Sequence, residues 1–251
     1  MKWGTFGPVH IASLVLAVAA VTCLYFILKR TSQRTQTIVL GILSFSGIGA
    51  MVFNLLAWNS PWEYLPLHLC SLNALVLPFA VFTRSKRLSN LLLLWSLGAL
   101  MAVVMNHAQG NFEIGSWTFF FYFVPHILEF AIPVLLFKLG LVEKDSKCIL
   151  STLLITIAAL TGIHFINLGL NAFFAANRIC NCAGQVIQVN YMYTLVPENP
   201  VLGLIYRMIP HRYWYLYGVL PIIAVYLLAV YAPQLVKPHR KRSHIRRIKI
   251  S

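Results

Sequence analysis

Residues 115–137 read GSWTFFFYFVPHILEFAIPVLLF. A run of this length and apolarity fits the roughly 20 residues that carry a helix across a bilayer. Inside it lie two prolines, an imidazole and a carboxyl: Pro125, His126, Glu129 and Pro133. Polar groups are costly in hydrocarbon and need a partner or a purpose there. The stretch therefore predicts a membrane span and marks its interior for attention.

Working outward, six further apolar segments are predicted. Val9–Leu28, Thr37–Trp58, Leu65–Thr83 and Ser89–Met105 precede it, and Ile149–Phe173 and Tyr213–Leu235 follow. Of 251 residues, 59% are hydrophobic and 10% charged, against roughly 45–50% and about 25% in soluble domains. The mean hydropathy is +0.75. These values exclude a soluble domain. A β-barrel is excluded too, because its strands alternate polar and apolar residues. The expected fold is all-α: a polytopic membrane helix bundle of about seven transmembrane helices.

The net charge of +14 would suggest nucleic acid in a soluble protein. Here the basic residues follow alternate spans, as cytoplasmic loops do. Lys29, Arg30 and Arg34 follow the first span, Arg84, Lys86 and Arg87 the third, and Lys138, Lys144 and Lys147 the fifth. Seven more crowd residues 237–251, leaving Lys2, Arg178, Arg207 and Arg212 on the other side. This predicts an N-terminus outside, a C-terminus in the cytoplasm, and a seven-span domain over 1–236 with a basic tail from 237. The partners expected are membrane lipids, with anionic headgroups facing the tail, and no nucleic acid. The first span begins near Met1 without a small-residue cleavage site, so it reads as uncleaved. The long segment 175–212, rich in aromatic and aliphatic residues, reads as an outer lid with a short amphipathic helix over Pro200–Met208.

The polar residues within the spans gather toward the outer halves: His10, Asn54, His68, Cys70, Ser71, Asn73, Asn106, His107, His164, Asn167 and Asn171. His164, Asn167 and Asn171 lie three and four apart and share a helix face, with Gly162 and Gly169 small enough for a close neighbour. His126 and Glu129, three apart, can face one interior space. Glu129 then either holds the His126 imidazole in one tautomer, as an acid does in a nucleophilic triad, or makes a buried bond that fixes helix register. For the whole collection the expectation is one cavity opening outward, although hydrogen bonding between helices also uses such residues.

Of the five cysteines, Cys23 and Cys148 read as small apolar residues. Cys180 and Cys182 sit in the outer loop, where a Cys-x-Cys bridge is cramped. Cys70 is near an interface, and a thiol nucleophile needs a base. Two residues apart on a helix, His68 and Cys70 face opposite ways, so that base is expected in His126. Alternatively His68 faces the cavity and Cys70 only packs. No metal-binding spacing is present, and no cofactor is expected.

The run Leu65-Pro66-Leu67-His68-Leu69-Cys70, with Asn190-Tyr191-Met192-Tyr193 before the last span, resembles the YwaF-type bacterial integral membrane proteins. That family is similar to a eukaryotic multispan cysteine acyltransferase of ether phospholipids. The resemblance implies a nucleophile near the start of the third span and a histidine in a later one, here Cys70 with His126, and His68 as the motif histidine.

Three functions follow as expectations. The first is a lipid acyltransferase or hydrolase of the outer leaflet of a bacterial plasma membrane. Cys70, His126, Glu129 and His68 would be catalytic, with Asn106, His164, Asn167, Asn171, Asn190 and Tyr191 binding the substrate. The second is a non-catalytic binder of lipid or peptide. The third is a transporter component, which the lack of an internal repeat disfavours.

Overall fold

The computed structural model describes residues 1–58, 60–106 and 109–236, and among these no strand forms. Residues 237–251 and His107 lie outside the described residues. The helices are α1 (Pro8–Lys29), α2 (Gln33–Ser44), α3 (Ser46–Ala57), α4 (Leu69–Thr83), α5 (Lys86–Val104), α6 (Trp117–Lys138), α7 (Cys148–Asn177), α8 (Pro200–Met208) and α9 (Leu220–Val236). Six segments are long and apolar enough to cross a membrane: α1, α2 with α3, α5, α6, α7 and Trp214–Gln234. The bundle is all-α and membrane-spanning, as its composition requires.

The remaining expected span is shorter than its sequence suggests. α4 starts at Leu69 and has 15 residues, about 22 Å at 1.5 Å per residue. Leu65 precedes a proline, which disfavours the helical region, and its φ/ψ of −58°/144° is extended. His68, at −75°/155°, is extended as well and stands at the N-cap. The Leu65–His68 part of the motif is therefore a strap leading into the helix. In contrast, α7 runs for 30 residues, about 45 Å, and overshoots the roughly 30 Å hydrocarbon core.

Successive long helices alternate in direction. One end of the bundle carries the basic loops, and the other carries the N-terminal residues and a lid formed by 178–219. α5 is the axle. Its most apolar window is 56% buried, against 11% in α1 and in α7, which turn most of their surface outward. Its neighbours hydrogen-bond to it at several levels. His10 Nε2 of α1 donates to the Val103 carbonyl (2.8 Å), and the Tyr122 hydroxyl of α6 to the Ala102 carbonyl (2.8 Å). The Tyr226 hydroxyl of α9 reaches the Leu93 carbonyl (2.6 Å), and Trp95 Nε1 donates to Thr156 Oγ1 of α7 (2.9 Å). Buried Leu77 and Val81 of α4 and Ile132 and Leu136 of α6 share one core with Leu92 of α5.

Helices approach most closely where a side chain is missing. A Cβ on Gly41 would meet the Phe82 ring at 2.4 Å, and one on Gly47 would meet Ala74 Cβ at 2.5 Å. The close approach expected at Gly162 and Gly169 does not occur, because both face open space. The α7 face that carries them points away from the bundle.

Candidate functional site

The lid is tied to α7 by two asparagines that each work in both directions. Asn167 Nδ2 donates to the Tyr191 carbonyl (2.8 Å) and to Thr194 Oγ1 (2.9 Å), while its Oδ1 accepts from the Tyr191 N–H (3.0 Å). Four residues on, Asn171 Nδ2 donates to the Val189 carbonyl (2.9 Å) and its Oδ1 accepts from the Val189 N–H (2.7 Å). His164 Nδ1 lies 3.3 Å from Thr194 Oγ1. The predicted α7 stripe is one face, and it engages the lid backbone. Asn190 is spent on its own turn, with Nδ2 on the Val196 carbonyl and Glu198 Oε1 and with Oδ1 on the Leu195 N–H. The Tyr191 hydroxyl donates to the Trp62 carbonyl.

At the far side of the lid, Met192 and Tyr193 take left-handed φ values of 53° and 55°. Non-glycine residues in this region cost about 1–3 kcal/mol each and persist only where the surroundings impose them. Here the bonds to Asn167 and Asn171 hold the preceding residues, and the distorted turn meets the α4 strap. The Met192 N–H donates to His68 Nδ1 (3.3 Å), and the His68 ring lies 5.3 Å from that of Tyr191 and 5.5 Å from that of Tyr193. Burial pushes the Tyr191 and Tyr193 phenols up to about 12, with Glu198 adding to the second. Both hydroxyls therefore remain neutral donors.

His126 of α6 lies within electrostatic range of His68. His126 Nδ1 lies 2.6 Å from the Tyr122 carbonyl one turn earlier, with the rings 4.5 Å apart. A carbonyl only accepts, so His126 Nδ1 carries a proton. At His68 the Nδ1 accepts, so the ring proton sits on Nε2. The tautomer of His126 is set by Tyr122, the partner expected in Glu129.

Cys70, half-buried, is the second residue of α4. The first N–H groups of a helix have no partner within it and present partial positive charge. Tyr122, Tyr193 and Glu129 lie within electrostatic range of Cys70. Among the described residues, neither Cys70 nor His68 hydrogen-bonds to His126.

The single outward cavity expected from the sequence resolves into separate groups. His10 and Asn106 belong to an N-terminal anchor: His10 accepts from the Phe6 N–H (2.9 Å), Trp3 Nε1 donates to Ser13 Oγ (2.8 Å), and Asn106 Nδ2 donates to the Gly4 carbonyl (2.7 Å). Glu129 points toward α3 and α4, where Asn73 Nδ2 donates to its backbone carbonyl (3.4 Å). Neither described cavity is lined by Cys70, His68 or His126. One, of about 480 Å³, is an apolar groove between α1 and α6, and the other, of about 210 Å³, lies beside Trp58, Glu63 and Asn181. The sequence reading passed over Tyr122 and Thr194. Tyr122 was detectable, being four residues before His126 and so on its face, whereas Thr194 becomes apparent only once the lid is folded.

The Cys70 thiol and the His68 and His126 imidazoles thus lie near the strained turn at Met192 and Tyr193. No curated protein and no solved structure matches the chain. The model of the TMEM164 family, a family of multispan membrane proteins, matches residues 5–231. The match spans nearly the whole bundle and lid, and the chain belongs to the TMEM164 family.

Proposed function

We propose that this chain is a lipid acyltransferase or hydrolase working in the outer leaflet of a bacterial plasma membrane, of the YwaF type, with Cys70 as nucleophile and His126 as base. What supports the reading is that His68 Nδ1 accepts from the Met192 N–H, leaving Nε2–H free to donate, and that His126 turns Nδ1 to the Tyr122 carbonyl, with Cys70 on the first turn of α4.

In the first half-reaction, the Cys70 proton passes to His126 Nε2 and the sulfur attacks the carbonyl carbon of a lipid ester. The C–S bond forms, and the carbonyl oxygen, now negative, takes hydrogen bonds from His68 Nε2–H and the α4 N–H groups. Collapse of this intermediate breaks the ester C–O bond, and the alcohol leaves with the proton from His126. In the second half, a lysolipid hydroxyl or water gives its proton to His126 and attacks the thioester, so that a C–O bond forms as the C–S bond breaks. Sulfur and nitrogen then regain their starting protonation. Substrate binding draws Cys70 and His126 together, since catalytic hydrogen bonds often tighten only in the complex.

The test is acyl transfer from phospholipid to labelled lysophospholipid by purified protein in liposomes. Cys70→Ala and His126→Ala should each lower turnover by about 10²–10⁴, and His68→Ala by about 10²–10³, the usual loss of one oxyanion donor. A hydroxylamine-sensitive acyl group should accumulate on the wild type and not on Cys70→Ala. Full turnover in both Cys70→Ala and His126→Ala would refute the assignment and leave a lipid-binding role.

A further inference from the structure

The acyl chemistry above leaves Glu129 unused, although it is the one acid deep within a span. Its Oε2 is fully buried and has no hydrogen-bond partner among the described residues. Two more buried atoms share that condition on the helices packed against α6, Asn73 Oδ1 on α4 and Ser46 Oγ on α3. Asn73 is fully buried and Glu129 only 4% exposed.

The helices that carry them pack together at Gly47. A Cβ there would lie 2.7 Å from Glu129 Oε1 and 2.5 Å from Ala74 Cβ. Ser46 is the residue before Gly47, and Asn73 the residue before Ala74. Asn73 Nδ2 on the Glu129 carbonyl fixes which end of the amide is oxygen. Three helices, α3, α4 and α6, meet here, and each carries an unmet buried oxygen at the contact or one residue from it. The chain is also irregular here: between α2 and α3 the Phe45 N–H reaches back only three residues, to the Ile42 carbonyl (3.2 Å).

An unmet buried polar atom costs about 1–3 kcal/mol, and a bare buried carboxylate far more, so the joint calls for a positive partner. Among the described residues no ion pair to Glu129 forms, although His126 lies within electrostatic range of it. The ion pair found among the described residues is Lys86 with Asp145, at the basic end (2.7 Å), and the Nδ1 proton of His126 is committed to Tyr122. The three groups are a carboxylate, an amide oxygen and a hydroxyl. Such hard donors, with no sulfur or imidazole, select hard cations. With the carboxyl ionised they carry one negative charge between them, which one monovalent ion neutralises and a divalent ion would leave in buried excess.

We propose that Glu129, Asn73 and Ser46 form an intramembrane binding site for a sodium ion between α3, α4 and α6. Bound there, the ion ties together the two helices that carry Cys70 and His126. The site does not depend on the acyltransferase reading.

The experiment is thermal unfolding of the full-length protein in detergent, with sodium chloride exchanged for choline chloride at constant ionic strength and alkaline pH. The expected result is a saturable rise in Tm with sodium, growing with the logarithm of concentration above the dissociation constant. The rise should be lost in Glu129→Gln and Asn73→Ala and weakened in Ser46→Ala. The wild-type comparison needs no variant to fold. A Tm that responds to pH but is identical in the two salts would mean that a proton alone occupies the joint, and would overturn the proposal. A sodium-specific rise that survives in a folded Glu129→Gln would overturn it equally.

Discussion

Asn167 shows how much one side chain does in this molecule, since it satisfies both the N–H and the carbonyl of Tyr191 and also holds Thr194. Asn167→Ala leaves two buried backbone groups unmet, at about 1–3 kcal/mol for each such group. The variant should unfold at lower temperature and be cleaved in the lid at protease concentrations that spare the wild type; an unchanged cleavage pattern would mean that other contacts hold the lid. The sequence displayed this residue clearly, through its spacing from His164 and Asn171. It did not display the partner, because a backbone carbonyl in a distant loop has no letter of its own. The His126 tautomer was hidden likewise, since a main-chain oxygen four residues earlier decides it.

Helix ends carry the next lesson. α4 and α7 both close on an arginine in the left-handed region, Arg84 at φ 48° and Arg178 at φ 51°. Glycine would adopt that geometry at no steric cost. The Arg178 side chain is exposed, so Arg178→Gly should stabilise the protein by about 1 kcal/mol. The Arg84 guanidinium donates to the Gln33 carbonyl, to Gln33 Oε1 and to Thr37 Oγ1, so Arg84→Gly should lose more than it gains. Thermal unfolding of the pair gives shifts of opposite sign if this is right. The loop between α6 and α7 is held to α5 by Asp145, whose carboxyl Lys86 and the Lys147 N–H keep below the usual carboxylate range. A depressed native value means stability that is present above the unfolded pKa, about 3.9, and lost as pH falls through the native one. Asp145→Asn should therefore melt lower than the wild type at neutral pH and together with it in strong acid; a gap that persists in acid would assign the effect to packing. Hydropathy located every long helix. The start of α4 was misjudged because apolar content says nothing about Pro66 forcing the preceding residue out of the helical region.

For the molecule as a whole, the basic loops at one end predict that the lid faces outward. A tag at the N-terminus should be reached by impermeant reagent on intact cells, and a tag at the C-terminus only after permeabilisation; the reverse pattern would turn the proposed site toward the cytoplasm. Composition and loop charge made the class and the expected orientation legible from the sequence. The separation of the polar residues into an anchor, a lid clamp, an imidazole pair and a buried oxygen joint was not legible, because all four use the same few residue types. The lid also joins two very unequal supports, the 15-residue α4 through His68 and the 30-residue α7 through Asn167 and Asn171. A long span meets a thin bilayer by tilting, whereas a short one draws the lipid inward. Thickening or thinning the surrounding membrane would thus shear the cover across its two posts, making the protein a gauge of the length of the fatty chains in which it sits.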